Sequence, residues 1–261
     1  MNATGTSLTR IALLHLSPEP GALAQNRRLV DAAIRAAADA GAEWILTPEL
    51  ATTGYEFVER IGSDWIETQP DPWVQGVAEF ARRRRVTVFL SVPERVEERR
   101  YNTLLAIDRV GQIAGRHRKI NALRVGSEAW STPGQEINAV PIDGFGLVGM
   151  LICADAYTPS IAETLARQGA RALVSSAAWR PGLHGPNGEW EAVTEATSLP
   201  IFVCNRTGQE RRIDFTAAQS VVASAGKRLV SFAAPRNAIF LIDWSFEENR
   251  LVRHSTIAPF P

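Results

Sequence analysis

The chain has no surplus of charge of either sign: its 261 residues hold 28 Lys and Arg against 28 Asp and Glu. Nucleic acid is bound by basic surfaces, so a nucleic-acid partner finds no support. Cysteine is scarce, with Cys153 and Cys204 only, and histidine stands at 15, 117, 184 and 254. Two cysteines build no disulfide framework, which points to a reducing, cytoplasmic setting. None of these six residues falls in C-x-x-C or H-x-x-x-H spacing, so no metal site is expected, and no ATP motif or other cofactor signature is found. Long hydrophobic runs are missing as well. No stretch approaches the roughly 20 apolar residues of a membrane span, and the opening MNATGTSLTR has no apolar signal core, so the expectation is a soluble protein.

What is there is core-forming material, 45% hydrophobic, in apolar runs that alternate with amphipathic ones. IALLHL (11–16), WILT (44–47) and VTVFLSV (86–92) read as buried strands. Between them, GALAQNRRLVDAAIRAAADAG (21–41) puts Leu29, Val30, Ala33, Ile34 and Ala37 on one helical face, and DPWVQGVAEFARRRR (71–85) starts a helix near Pro72. The ARRRRV end of that helix (81–86) is the one strong charge cluster and reads as a solvated last turn. YNTLLAID and QIAGRHRK flank RVG as a hairpin. The order then recurs. LVGMLIC (147–153) is a strand, SIAETLARQGA (160–170) a helix with Ser160 and Glu163 in capping-box spacing, and ALVSSAAW (172–179) a strand. GEWEAVTEATSL (188–199) is a helix, IFVCN (201–205) a strand, and SVVASAGKRLVSF (220–232) a hairpin turning at Ala225-Gly226. Strand–helix–strand–helix–strand–hairpin is written twice, in 11–119 and in 147–232. It predicts an α/β protein of two similar half-sheets packed face to face, helices on both outer faces. No Pro/Gly/Ser linker separates the halves, so residues 1–261 read as a single domain.

Three residues close apolar runs at the carboxyl ends of strands, where open α/β sheets hold their ligands. They are Glu49 after WILTP, Lys119 after GRHR and Cys153 after GMLI. Covalent acyl transfer uses this set. A thiolate is the nucleophile, a carboxylate takes the thiol proton and returns it to a leaving amine, and an ammonium stabilises the oxyanion. Each alone has an ordinary reading: a helix cap, a strand-edge lysine, a packed core thiol. All three together, each behind an apolar run, favour a site.

ILTPELATTGY (45–55), YNTLLAIDRVGQIAGRHRKI (101–120) and GFGLVGMLICADAYTPS (144–160) resemble the nitrilase superfamily of carbon–nitrogen hydrolases, which use a Glu–Lys–Cys triad. STPGQE (131–136), FVCNRTG (202–208) and SVVASAGKRL (220–229) extend the likeness, in order, over nearly the whole chain. The resemblance implies a four-layer α-β-β-α sandwich, in agreement with the duplicated element order. It implies Glu49 as general base, Lys119 as oxyanion stabiliser and Cys153 as nucleophile. Glu128 falls at the place of a second glutamate that orients the lysine or the substrate, and the backbone N–H of Ala154 would be a second oxyanion donor. A homodimer or larger homo-oligomer is implied too. The chain departs from the family at Ala154, where Trp or Tyr often follows the cysteine, at YTPS (157–160) and at EWEAVTEATSL (189–199).

The function expected from this is a thiol-dependent amidase that releases ammonia from a small carboxamide through a Cys153 acyl-enzyme. Hydrolysis of N-carbamoyl amines or nitriles on the same triad stays open. So do a Cys–His hydrolase with His117 or His184 as base, and a catalytically silent interaction protein on this scaffold. Tyr55, Trp130 and Trp179 adjoin the motifs and either line the pocket or pack beneath it, with Ala154 and Trp179 reshaping it. WRPGLHGPNGEW (179–190) reads as a mobile loop over the site. Cys204 reads as core. Asp155 either caps the following helix or touches substrate, and Arg206 either steers an acidic substrate or pairs on the surface.

Overall fold

A computed structural model describes residues 8–258 and 260; the first seven residues of the MNATGTSLTR stretch lie outside the described residues. The first half runs β1 (Leu8–His15), α1 (Leu23–Asp39), β2 (Trp44–Leu46), the single turn α2 (Val58–Ile61), α3 (Pro72–Arg84), β3 (Thr87–Val96), β4 (Arg99–Ile107) and β5 (Ile113–Arg118). The short β6 (Val140–Ile142) leads into the second half. There follow β7 (Gly146–Ile152), α4 (Pro159–Arg167), β8 (Ala172–Ala177), α5 (Glu189–Thr197), β9 (Ile201–Asn205), β10 (Ser220–Ser224) and β11 (Lys227–Phe232). β12 (Ala238–Ser245) and β13 (Arg250–Ile257) close the chain.

The two halves share one topology. In the seven-stranded sheet, ordered β13-β12-β1-β2-β3-β4-β5, the strands β1, β2 and β3 are parallel, with β4 and β5 returning antiparallel. In the six-stranded sheet, ordered β11-β10-β9-β8-β7-β6, the strands β7, β8 and β9 are parallel, with β10 and β11 antiparallel. Each half gains an antiparallel strand beside its first strand: β12 on β1, β6 on β7. The sheets face one another with β1 over β9 and β4 over β7. α1 lies against β1 and β2, and α4 and α5 against β7 and β10, so helices form the outer layers of a four-layer sandwich.

Local chemistry explains the elements. The inner strands are buried on both faces, as parallel strands between layers must be: β8 and β9 are buried at every position and mostly apolar. α3 starts where the Asp71 side chain accepts from the Val74 N–H at 2.8 Å and Pro72 takes the first turn. Its last turn carries Arg82, Arg83 and Arg84, which suits the helix dipole, and Arg82 and Arg84 pair outward with Glu79 and Asp39. The β10–β11 hairpin turns through Ala225 and Gly226, both at positive φ (50° and 74°), the geometry of a two-residue hairpin loop. One reading is corrected here. Ser160 and Glu163 form no capping box; Thr158 holds the N-cap position of α4 without a side-chain bond, because Pro159 takes the first helical position.

The amino ends of the parallel strands are sealed by aromatics from both sheets. Trp44 packs edge-on against Phe145 (4.7 Å between centroids), Phe145 against Phe246 (4.5 Å) and Phe202 against Trp244 (5.2 Å). Ring pairs of this kind add about 0.5–1.5 kcal/mol each beyond their buried area. The carboxyl ends, opposite, are left for polar groups.

At that polar end His15 is fully buried, its Nδ1 2.8 Å from the Asn205 carbonyl oxygen and 3.1 Å from Ser220 Oγ. Burial pushes its pKa from 6.5 down to about 4. The unfolded chain therefore binds the extra proton first as pH falls. Stability present above pH 6.5 is lost progressively as pH falls towards 4, by about 3 kcal/mol in total. Urea unfolding of wild type and His15→Gln at pH 7, 5.5 and 4 checks this: wild type is expected to lose about that much more than the variant.

Candidate active site

The carboxyl ends of β2, β5 and β7 bring three of the expected residues to one place. Glu49, three residues past β2, is fixed to the other sheet: its N–H donates to the Ala177 carbonyl at 3.3 Å and its Oε2 accepts from the Ala178 N–H at 2.8 Å. Lys119 directly follows β5, one of two lysines in the chain. Its Nζ donates to Glu49 Oε1 at 2.8 Å and to both oxygens of Glu128 at 2.8 and 2.9 Å. Glu128 ends a single 3-10 turn, Gly126–Glu128. Glu49 and Lys119 are fully buried and Glu128 nearly so.

Asn102, on β4, belongs to the same cluster and was not singled out from the sequence. Its Nδ2 donates to Glu49 Oε1 at 2.7 Å and to Glu128 Oε1 at 3.1 Å. The Leu123 N–H donates to Glu128 Oε2 at 3.0 Å, and Tyr55 Oη reaches the same oxygen at 3.4 Å. An amide side chain at the head of the otherwise largely apolar run YNTLLAI, beside Thr103, was the available signal for Asn102.

Cys153 opens a 3-10 turn, Cys153–Tyr157, immediately after β7, with φ at 47°. That left-handed conformation is uncommon without a glycine and turns the side chain out of the strand direction. Burial raises the thiol pKa well above its ordinary value, Glu49 adds to the rise, and Lys119 and the Ala178 backbone oppose it. Burial also pulls on the Lys119 ammonium, but Glu49, Tyr55 and Glu128 more than offset it and its pKa stands well above the usual lysine range. Burial, with Glu49 close by, holds the Glu128 carboxyl above its usual range against the pull of Lys119. The resting thiol is therefore neutral beside a charged ammonium.

The cysteine turn is locked to the lysine strand by Asp155. Its Oδ1 accepts from the N–H groups of Ile120 (3.0 Å) and Asn121 (2.8 Å), and its Oδ2 from the Ile152 N–H (2.9 Å), with His117 Nε2 at 2.7 Å. Asp155 is not among the residues that line the cavity, and no side chain caps α4, so it meets neither expectation. His117, engaged on Asp155, does not line the cavity; His184 does.

That cavity, about 520 Å³, opens over Cys153 and Lys119 and is lined by Tyr55, Ala154 and Trp179 among others. Residues 179–185 of the Gly/Pro-rich loop form part of its wall. Trp130 lies elsewhere. Its ring packs edge-on against Phe57 at 5.1 Å, in a small cluster with Leu50 and Ile66, because the loop after Glu49 buries its own apolar residues there. Arg206 is fully buried and meets neither expectation. It pairs with Glu210, donates to the Pro18 carbonyl at 3.1 Å and lies 4.5 Å over Phe215, while Glu210 accepts the Tyr55 N–H at 2.8 Å. Its role is to brace the Tyr55 loop. Cys204 is core, its Sγ 3.3 Å from the Leu14 carbonyl oxygen.

Removing the Asp155 carboxylate leaves the buried N–H groups of Ile120, Asn121 and Ile152 without their acceptor. Asp155→Ala is expected to cost about 3 kcal/mol or more in urea unfolding, and to slow iodoacetamide labelling of Cys153 by disordering its turn. Asp155→Asn, which keeps one acceptor oxygen, is expected to cost less.

No described helix is long and apolar enough to cross a membrane. The family model for carbon-nitrogen hydrolase matches residues 10–242. A probable nitrilase of Schizosaccharomyces pombe is 26% identical over 192 residues, 70% of this chain and 68% of its own length. A citrullinase of Francisella tularensis subsp. tularensis is 28% identical over 209 residues, 74% and 73% of the two chains. Among solved structures, Nit3 of Saccharomyces cerevisiae, a member of the nitrilase superfamily, has the same fold with a TM-score of 0.78 at 21% identity, covering 93% of this chain and 91% of that one. A mutant of the amidase from Nesterenkonia sp. AN1 in complex with butyramide gives 0.78 at 24% identity, covering 94% and 95%. With a family model spanning most of the chain and a fold shared end to end, the protein belongs to the carbon–nitrogen hydrolases.

Proposed function

We propose that this carbon–nitrogen hydrolase is an amidase, which cleaves a primary carboxamide to an acid and ammonia through a thioester on Cys153. The observation that carries the reading is one buried ammonium, Lys119, held between two carboxylates beside a neutral thiol at the floor of a cavity. Because the thiol pKa is held high, its proton leaves only as sulfur attacks, and Glu49 is the base that takes it. As the S–C bond forms, the carbonyl oxygen gains the negative charge, which Lys119 and the Ala154 backbone N–H receive. Collapse breaks the C–N bond, and Glu49 passes its proton to the departing nitrogen. Water then gives a proton to Glu49 and attacks the thioester carbon; sulfur leaves, regains the proton, and the acid departs. Glu128 and Asn102 keep Lys119 pointed and charged throughout. The chain does this as a single domain, residues 1–261, assembled as a homodimer or larger homo-oligomer.

Ammonia release and intact mass, followed with primary amides, N-carbamoyl amines and nitriles, test the reading. Amides are expected to give ammonia and a Cys153 acyl adduct. Cys153→Ala is expected to abolish both, and Glu49→Gln to lower kcat about a hundred- to ten-thousandfold. A Glu49→Gln enzyme that acylates at the wild-type rate defeats the base assignment.

A further inference from the structure

The cavity over Cys153 is larger than a small carboxamide needs. At about 520 Å³ it lies among sites that enclose drug-sized ligands, whereas acetamide has a handful of heavy atoms and would leave most of it to solvent. Away from the triad its lining is largely apolar, with Leu123, Tyr157, Trp179, Leu183, Ile213 and Phe215, Arg180 and His184 being the polar exceptions. Two edge-to-face aromatic pairs contribute: Tyr157 with Trp179 (4.9 Å, 67°) and Tyr55 with Phe215 (6.3 Å, 71°). The loop wall is braced before any ligand arrives. Tyr157 Oη and Trp179 Nε1 both donate to the His184 carbonyl, at 2.9 and 2.6 Å, and the Trp179 N–H donates to Asn205 Oδ1 at 3.0 Å. At the rim Leu123, Tyr157 and Leu183 stay 52%, 48% and 90% exposed, apolar surface set around one opening.

The charges at this opening are unequal. Lys119 is committed to Glu49 and Glu128. Arg180 also lines the cavity, is exposed, and makes no hydrogen bond or ion pair among the described residues; Asp214 feels its charge from a distance. Glu189 is within electrostatic reach of Tyr157, and among the described residues no Asp or Glu lines the cavity itself.

We infer that the substrate is a primary carboxamide with an extended, largely apolar acyl group, aryl or arylalkyl, whose far end carries an anion that meets Arg180. This rests on the amidase reading above and adds the acyl group to it. Arg180 touches only the remote end, so its contribution falls on binding, hence on KM rather than kcat.

Steady-state ammonia release with acetamide, 3-phenylpropanamide and 3-(4-carboxyphenyl)propanamide tests it. Wild type is expected to prefer phenylpropanamide over acetamide by about a hundredfold in kcat/KM, since several ring carbons leave water. The carboxylated analogue is expected to gain about a further fivefold, mostly through KM, as suits a partly solvated ion pair. Arg180→Ala is expected to erase that gain, Arg180→Lys to restore part of it, and Arg180→Glu to turn it into a preference for the 4-aminomethyl analogue. Acetamide turned over as efficiently as phenylpropanamide overturns the apolar acyl group, and an undiminished carboxylate preference in Arg180→Ala overturns the anionic end. Ammonia from none of the three amides overturns the amidase reading itself, a result separate from both.

Discussion

One ammonium between two carboxylates, all three out of water, governs the rest of this structure. Taking each ion out of solvent costs several kcal/mol, and the attraction within the cluster offsets that only where every lone pair and proton is also satisfied. Two negative charges and one positive leave an excess of acceptors. The fold answers with donors from separate elements: the Asn102 amide from β4, the Ala178 backbone beyond β8, the Leu123 backbone and the Tyr55 hydroxyl. Each must arrive at hydrogen-bond distance, so the ends of several strands are set relative to one another by a single demand. The same excess of negative charge adds to the cost of ionising Cys153, so burial and its neighbours together hold the thiol in its neutral form.

The sandwich is polarised to allow this. Rings from both sheets fill the amino ends of the parallel strands, where Trp44, Phe145, Phe246, Phe202 and Trp244 exclude water. The carboxyl ends then hold polar groups at fixed spacing. Asp155 ties the residue before Cys153 to the two residues after Lys119, so the thiol turn and the ammonium strand end are fixed to one another.

Much of this was legible in the chain because parallel strands buried on both faces are nearly unbroken apolar runs, and a charged residue or thiol ending such a run stands out. The doubled element order followed from the same runs. What escaped was what has no local mark. β12 and β13 join the first sheet through pairings such as Leu8 with Ser245, and nothing near residue 8 points to residue 245. Ser160 had the spacing of a cap but stood after a proline that had already taken the first turn. Trp130 and Arg206 carried the right chemistry for a pocket, yet their neighbours in space, Phe57 for one and Glu210 and Phe215 for the other, come from elsewhere. The donors to the carboxylates are partly backbone N–H groups, which every residue has and no composition reveals.

The division of the cluster between the two sheets has a consequence for biosynthesis. Glu49, Asn102, Lys119 and Glu128 all emerge from the ribosome before Ala178, which supplies the N–H that completes the Glu49 carboxylate. A nascent chain that has reached Glu128 has β1 to β5 but neither β12 nor β13 of the same sheet, and it holds this knot of charge without the Ala178 donor. The cluster is complete only when strands of both sheets are present, so the site and the packing of the two sheets depend on the same late segments of the chain.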